Sequence, residues 1–432
     1  MAKGVAGRNL SRREFIRGIS VGAAGVGLLG TGAFAAEPAA GGMKYRKLGR
    51  TGLMVSEISC GTVPLTEENV AVVRAAFERG VNFVDTASAY GKGKSEEALG
   101  GIFKNKSVRD KVIVCTKTSG LKMGADIESS FVEHVEGSLK RLQTDRVDII
   151  MAPHGASAPE HVQNAEVFAA FEKLKKQGKA RFLGVSTHGT YSEVALAAIN
   201  GGHYDVVLTM INVANTIPAL MDQAKAMREA KMKEQAAKGK GKARPLPEVC
   251  DMRPVLAAAV KKNVGIVAMK VCNNVPQEIR DKVPAHFGQA SGMNLFQMCY
   301  KWVLSQPGVA ACVPSMTTME MLDQNLEVPH KKLAEADRRM LEQAVVAASG
   351  QICRMCSTCS AHCPRGVKVA DILRYRMYYT AYGERELATE SYRELAAAER
   401  VTNCRDCGTC EAVCPAGIQV RSRLRDAHRR LA

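Results

Sequence analysis

Eight short apolar runs recur between about residues 43 and 347 of this 432-residue chain. They read EISCGT (57–62), NFVDTA (82–87), VIVCTK (112–117), VDIIMA (147–152), FLGVST (182–187), DVVLTM (205–210), GIVAMK (265–270) and ACVPSM (311–316). Each is apolar on successive residues, as expected for strands buried on both faces. Amphipathic stretches such as Glu128–Leu142 and His161–Gln177 lie between them. Eight β-α units in succession predict an α/β chain closed into a (β/α)₈ barrel, with an open doubly wound sheet as the alternative. Chemistry in such barrels sits at the C-terminal ends of the strands. Asp85, Lys117, His154, Ser186, Asn212 and Lys270 fall at or just past those ends.

One insertion interrupts the pattern. After DVVLTM comes ALMDQAKAMREAKMKEQAAKGKGKARPLPEVC, with eight basic residues between Lys225 and Arg244. A solvated helix running into a flexible loop is one reading of it. A docking surface for an acidic electron-transfer partner is the other.

The chain has 14 cysteines, and eight of them form two runs, CRMCSTCSAHCP (353–364) and CRDCGTCEAVCP (404–415). Spacing of C-x₂-C-x₂-C-x₃-C-P is specific for 4Fe–4S centres, and in two-cluster ferredoxins the fourth cysteine of each run ligates the other cluster. Cys353, Cys356, Cys359 and Cys414 are thus expected to hold one cluster, and Cys404, Cys407, Cys410 and Cys363 the second. Zinc sites use cysteine pairs, not four close cysteines twice over. The strongly helical spacer between the runs predicts a small helical ferredoxin-type module over 351–432. Two such clusters form a one-electron wire. The other six cysteines, Cys60, Cys115, Cys250, Cys272, Cys299 and Cys312, read as buried free thiols.

The N-terminus is SRREFIRGISVGAAGVGLLGTGAFAAEP, with Arg12 and Arg13 before an uncharged stretch from Gly18 to Ala36 and an Ala33-Phe34-Ala35 cleavage site. It resembles a twin-arginine signal peptide over residues 1–36. Six glycines in the apolar stretch argue against a retained membrane helix. That implies a periplasmic protein, exported folded with its clusters inserted, which keeps the cysteines from disulfide chemistry. The formal charge of +17 suits an acidic partner. No nucleic-acid motif accompanies it.

Four ionisable types gather at three successive strand ends: Asp85 and Tyr90 in VDTASAYGKGKSEEALG, Lys117 in VCTK and His154 in MAPH. A lysine cation, held by a carboxylate, lowers a tyrosine's pKa and readies it as a general acid. A histidine nearby can orient a carbonyl. These residues, with GKARFLGVSTH and KWVLSQPGVAACVP, resemble the aldo-keto reductase family over about residues 43–347. The whole chain resembles its exported branch with a C-terminal ferredoxin-type domain. The resemblance implies that Asp85, Tyr90, Lys117 and His154 are the catalytic tetrad, with Tyr90 the proton donor. It implies an oxidoreductase that interconverts a small carbonyl and an alcohol.

The nicotinamide side departs from the family pattern. Thr187 and His188 follow Ser186, Leu208 and Ile211 replace the glutamine and tyrosine, and Ser315 and Met321 replace the basic grip on the 2′-phosphate. Ser186, Asn212, Lys270 and Asn325 remain as cofactor contacts. Electrons are therefore expected to pass through the two 4Fe–4S clusters to or from a redox partner protein. NAD(P)H dependence with structural clusters, or a non-catalytic electron-transfer subunit, are the alternatives.

Overall fold

A computed structural model of the chain describes residues 42–118, 126–237, 246, 248–273 and 275–432. The expected export signal and the basic loop 238–245 lie outside the described residues. Each expected run holds one strand of a parallel sheet. The strands are β3 (Cys60–Gly61), β4 (Phe83–Asp85), β5 (Ile113–Lys117), β6 (Val147–Ala156), β7 (Ala180–Thr187), β8 (Val206–Met210), β9 (Gly265–Met269) and β10 (Val309–Cys312). Neighbours in sequence are neighbours in the sheet. The edges meet through parallel bridges Ile58↔Cys312 and Gly61↔Ser315, so the sheet closes into the expected barrel. Gly61 is required at this seam, because a Cβ there would stand 2.8 Å from the Val313 carbonyl oxygen.

The strand ends differ from the sequence expectation for local reasons. β6 continues past Pro153 to Ala156, with register shifts on either side of His154. That extension carries His154 above the barrel rim. Periodicity also missed a hairpin of two three-residue strands, β1 (Tyr45–Lys47) and β2 (Met54–Ser56). Its Leu48 and Val55 are fully buried among the interior residues Phe83, Ile149, Val206 and Val267. They plug one end of the barrel.

No strand occurs in 351–432; the segment is helical, as expected. Its helix Val369–Ala381 serves two cores, because residues three and four apart share a helix face. Val369, Ile372 and Leu373 pack inside the module with Leu424 and Leu431. Met377, Tyr378 and Ala381 pack on the barrel core, joined by Ile352 and Met355. The insertion forms the helix Pro218–Ala237, but its basic residues are not all solvated. Lys225 pairs with Asp251 at 2.7 Å, Arg228 donates to the Leu246 carbonyl at 2.9 Å, and Lys231 donates to the Cys414 carbonyl at 3.0 Å. The helix is largely exposed, as a solvated helix is expected to be, and these contacts also tie it to the barrel and the module. Among the described residues no helix is long and apolar enough to cross a membrane.

Candidate active site and cluster sites

Parallel strands bring the four expected catalytic residues to one rim. Asp85 ends β4, Lys117 ends β5 and His154 lies near the end of β6, while Tyr90 opens the turn Tyr90–Gly93 after β4. The Lys117 ammonium lies 2.7 Å from Asp85 Oδ1 with both side chains buried. It also donates to the Thr86 carbonyl at 2.7 Å and stands 4.7 Å from the Tyr90 ring centroid. Tyr90 and His154 meet edge to face at 6.0 Å between centroids.

The electrostatics follow from burial and from this ion pair. Burial works against the charge on Lys117, but Asp85 and Tyr90 outweigh it and hold the ammonium above the usual lysine range. For Tyr90, burial is the larger influence: it pushes the phenol up to about 12, with Lys117 pulling the other way. The expected net lowering of its pKa is therefore not what the geometry yields, and Tyr90 is a phenol at neutral pH. Burial and the Lys117 and Lys270 cations push His154 down to about 3, so its ring is neutral.

Sequence reasoning missed a second layer of this site. His188, just past β7, meets His154 at 5.9 Å between centroids. Its Nε2 lies 3.4 Å from Lys270 Nζ. Lys270 stands 5.7 Å from the Tyr191 ring centroid, and Arg374, from the cluster module, acts on Lys270, His188 and Tyr191. Tyr378, one turn on, acts on Tyr90. The module thus roofs the barrel mouth. The signal was in the sequence: Arg374, Met377, Tyr378 and Ala381 form an i, i+3, i+4, i+7 stripe.

The expected nicotinamide contacts diverge. Ser186 is buried with its hydroxyl unpartnered, as a ligand-holding group would be. Asn212 instead caps the turn Val213–Asn215, accepting from the Asn215 amide in a reciprocal pair. Lys270 is half-buried with Arg374 acting on it, and Asn325 is buried on the helix Met319–Glu327 that follows β10. Of the four, Ser186 has an unpartnered hydroxyl to offer a ligand, while the Asn212 side chain is occupied in the cap.

The cysteines do fit clusters. One small cavity is lined by Cys353, Cys356, Cys359 and Cys414, and another by Cys363, Cys404, Cys407 and Cys410. The crossed sets expected from spacing are the sets the fold assembles. Four cysteines around each cavity are the ligand set of a 4Fe–4S cluster. The two runs also share a backbone. Met355 and Asp406 both have φ of 51°, followed by Ser357 at 61° and Gly408 at 76°. These turns aim the Met355 amide at Cys353 Sγ and the Asp406 amide at Cys404 Sγ, each at 3.4 Å. Buried Arg354 lines the first cavity and has an unpartnered Nη1, a donor that an anionic cluster satisfies. The other six cysteines are all buried and free, as expected.

Comparison with known proteins agrees with this division. The Aldo/keto reductase family model matches residues 52–346. The chain belongs to that family. The 4Fe-4S dicluster domain model matches residues 352–419. L-galactose dehydrogenase of Arabidopsis thaliana is 34% identical over 193 residues, which cover 42% of this chain and 60% of that protein. The uncharacterized oxidoreductase YqkF of Bacillus subtilis (strain 168) is 25% identical over 315 residues, covering 69% of this chain and 96% of its own. Among solved structures, the aldo-keto reductase AKR11C1 from Bacillus halodurans (holo form) superposes with a TM-score of 0.51 at 19% identity, over 70% of this chain and 96% of that one. An aldo/keto reductase from Klebsiella pneumoniae in complex with NADP and acetate gives 0.50 at 23%, over 70% and 95%. These likenesses show the barrel fold. This aldo/keto reductase family member is an oxidoreductase with a 4Fe–4S dicluster domain.

Proposed function

We propose that this oxidoreductase interconverts a small carbonyl compound and its alcohol, with electrons exchanged through the two clusters and a redox partner protein. One observation carries the reading: the Asp85–Lys117–Tyr90–His154 set is roofed by the same helix that links the two cysteine runs. Reduction of a carbonyl takes two electrons and two protons. The electrons arrive one at a time from the clusters. Tyr90, a phenol at neutral pH, gives the proton that ends on oxygen, because a nascent alkoxide is far more basic, and water supplies the proton that ends on carbon. Asp85 keeps Lys117 charged beside it, and neutral His154 donates a hydrogen bond to the carbonyl oxygen.

Cys353, Cys356, Cys359 and Cys414 would hold the cluster nearer the barrel, since Cys353 acts on Tyr191 and Cys356 on Cys250. Cys363, Cys404, Cys407 and Cys410 would hold the outer one, where Cys407 is exposed. When bound, the clusters supply one-electron transfer between this site and the surface. The exposed face at Cys407 is where a partner would dock. Residues 1–36 support a further part of the reading, export by the twin-arginine route to the periplasm.

The test uses cluster-replete protein, reduced chemically and mixed anaerobically with aldehydes, sugar aldehydes and 2-oxo acids, without nicotinamide. The expected result is recovery of cluster absorbance with at least one carbonyl class. No recovery with any of them, and no bleaching by the matching alcohols, would overturn the reading.

A further inference from the structure

Two ammonium groups, Lys117 and Lys270, lie at the barrel mouth, the Arg374 guanidinium of the module acts on Lys270, and the carboxylate at that mouth is already taken. Asp85 is bound to Lys117 at 2.7 Å. Among the described residues Lys270 Nζ meets His188 Nε2 and Met269 Sδ, each at 3.4 Å, and the Tyr191 ring at 5.7 Å from its centroid. None is an anion. Arg374 reaches in from the module, held by Asp371 one turn back on its own helix at 2.7 Å. Lys270 is also the one non-glycine residue at a barrel strand end with a left-handed backbone, φ 55°. That conformation is unfavourable for lysine, and it is where the side chain turns toward His188. The Ser186 hydroxyl and His188 Nδ1 are also buried and unpartnered. Lys270 is half-buried and no anion pairs with it among the described residues, and the Lys117 and Arg374 cations raise the cost of its charge. An anion in the mouth would offset that cost.

We infer that Lys270 and Arg374 together hold a carboxylate of the substrate, so that the enzyme acts on oxo acids or hydroxy acids, and that the cluster module supplies half of the grip. This rests on the proposed carbonyl–alcohol chemistry for the choice of substrate class, but not for the anion site itself. Arg374 then has two roles: it closes the mouth and reads the charge. A neutral carbonyl compound leaves Lys270 uncompensated and is disfavoured, by the same penalty that an unpaired buried polar group carries in any specificity pocket.

The charge state of Lys270 supports the inference. Burial, Arg374 and Lys117 push its pKa down to about 7, against a smaller pull from Asp85. The groups facing it are Asp85, Lys117, His154, His188, Tyr191 and Arg374. His154 is neutral at about 3, so Lys270 is the group among them that titrates near neutrality. An anion binds the protonated form, so carboxylate affinity falls as pH rises from 6 to 8.

The test is calorimetric titration of the oxidised, cluster-replete protein with pyruvate, with its neutral isostere pyruvamide and with inorganic pyrophosphate. No electron transfer is involved, so failure of the cluster route does not affect the result. Wild type is expected to bind pyruvate at least about tenfold more tightly than pyruvamide, a difference of about 1.4 kcal/mol. Lys270→Met and Arg374→Met are each expected to remove that preference, Arg374→Lys to restore part of it, and Lys231→Met to leave it intact. Unchanged cluster absorbance and circular dichroism identify the variants that fold. Equal affinity for pyruvate and pyruvamide overturns the inference. So does tighter, Lys270-dependent binding of pyrophosphate than of pyruvate, which would make this the site of a dinucleotide phosphate.

Discussion

Replacing Tyr90 with phenylalanine is expected to slow carbonyl-dependent reoxidation of the reduced clusters by about 10²–10⁴-fold, the usual contribution of a positioned general acid. The substitution removes the phenol oxygen and leaves the ring that packs near Lys117 and His154. Folding, cluster content and reduction by dithionite are expected to be unchanged, and only the step that needs a proton at oxygen suffers. Tyr90 is a cleaner target than Lys117. Removal of Lys117 leaves Asp85 as a buried charge without its partner at 2.7 Å, which destabilises by about 3–5 kcal/mol. Loss of activity there would mix chemistry with misfolding. Anaerobic stopped-flow absorbance, with the same carbonyl for both proteins, measures the Tyr90 effect. An unchanged rate would remove the proton-donor role.

The second large effect separates the two clusters. Cys414 closes the second run, yet it lines the cavity of Cys353, Cys356 and Cys359. Cys414→Ser is therefore expected to lose the inner cluster and about half of the iron, while the outer site stays whole. Cys363→Ser is expected to lose the outer cluster instead. Electron paramagnetic resonance and iron content report which cluster survives. Reaction with the carbonyl discriminates further. With excess dithionite to reload the remaining cluster for the second electron, it should persist in Cys363→Ser and vanish in Cys414→Ser. Ligation within each run alone requires the reverse pattern.

Much of this site was legible because it depends on spacing. Strand ends in a parallel barrel share one rim, so Asp85, Lys117 and His154 had to meet once eight strands were counted. The crossed cysteine sets were legible for the same reason, since the motif fixes which fourth cysteine each site takes. What stayed hidden depends on docking between elements far apart in sequence. Arg374 lies 104 positions beyond Lys270, and the stripe from Arg374 to Ala381 marks a packing face without saying that the barrel is what it covers. The contacts of the helix Pro218–Ala237 stayed hidden because a charge run says nothing about partners such as the Cys414 carbonyl. Asn212 was misread because asparagine suits a ligand and a cap equally well. The short hairpin at Tyr45–Ser56 lacked enough residues for a period to show.

Titration of anaerobic, cluster-replete protein with NADPH and with NADH, followed by binding heat and cluster absorbance, tests the central claim that electrons reach this barrel through its clusters. The capping role of Asn212 and the loss of basic residues at Ser315 and Met321 lead us to expect no binding at millimolar cofactor and no bleaching. Micromolar binding with bleaching of either cluster would make nicotinamide the electron source and contradict the account.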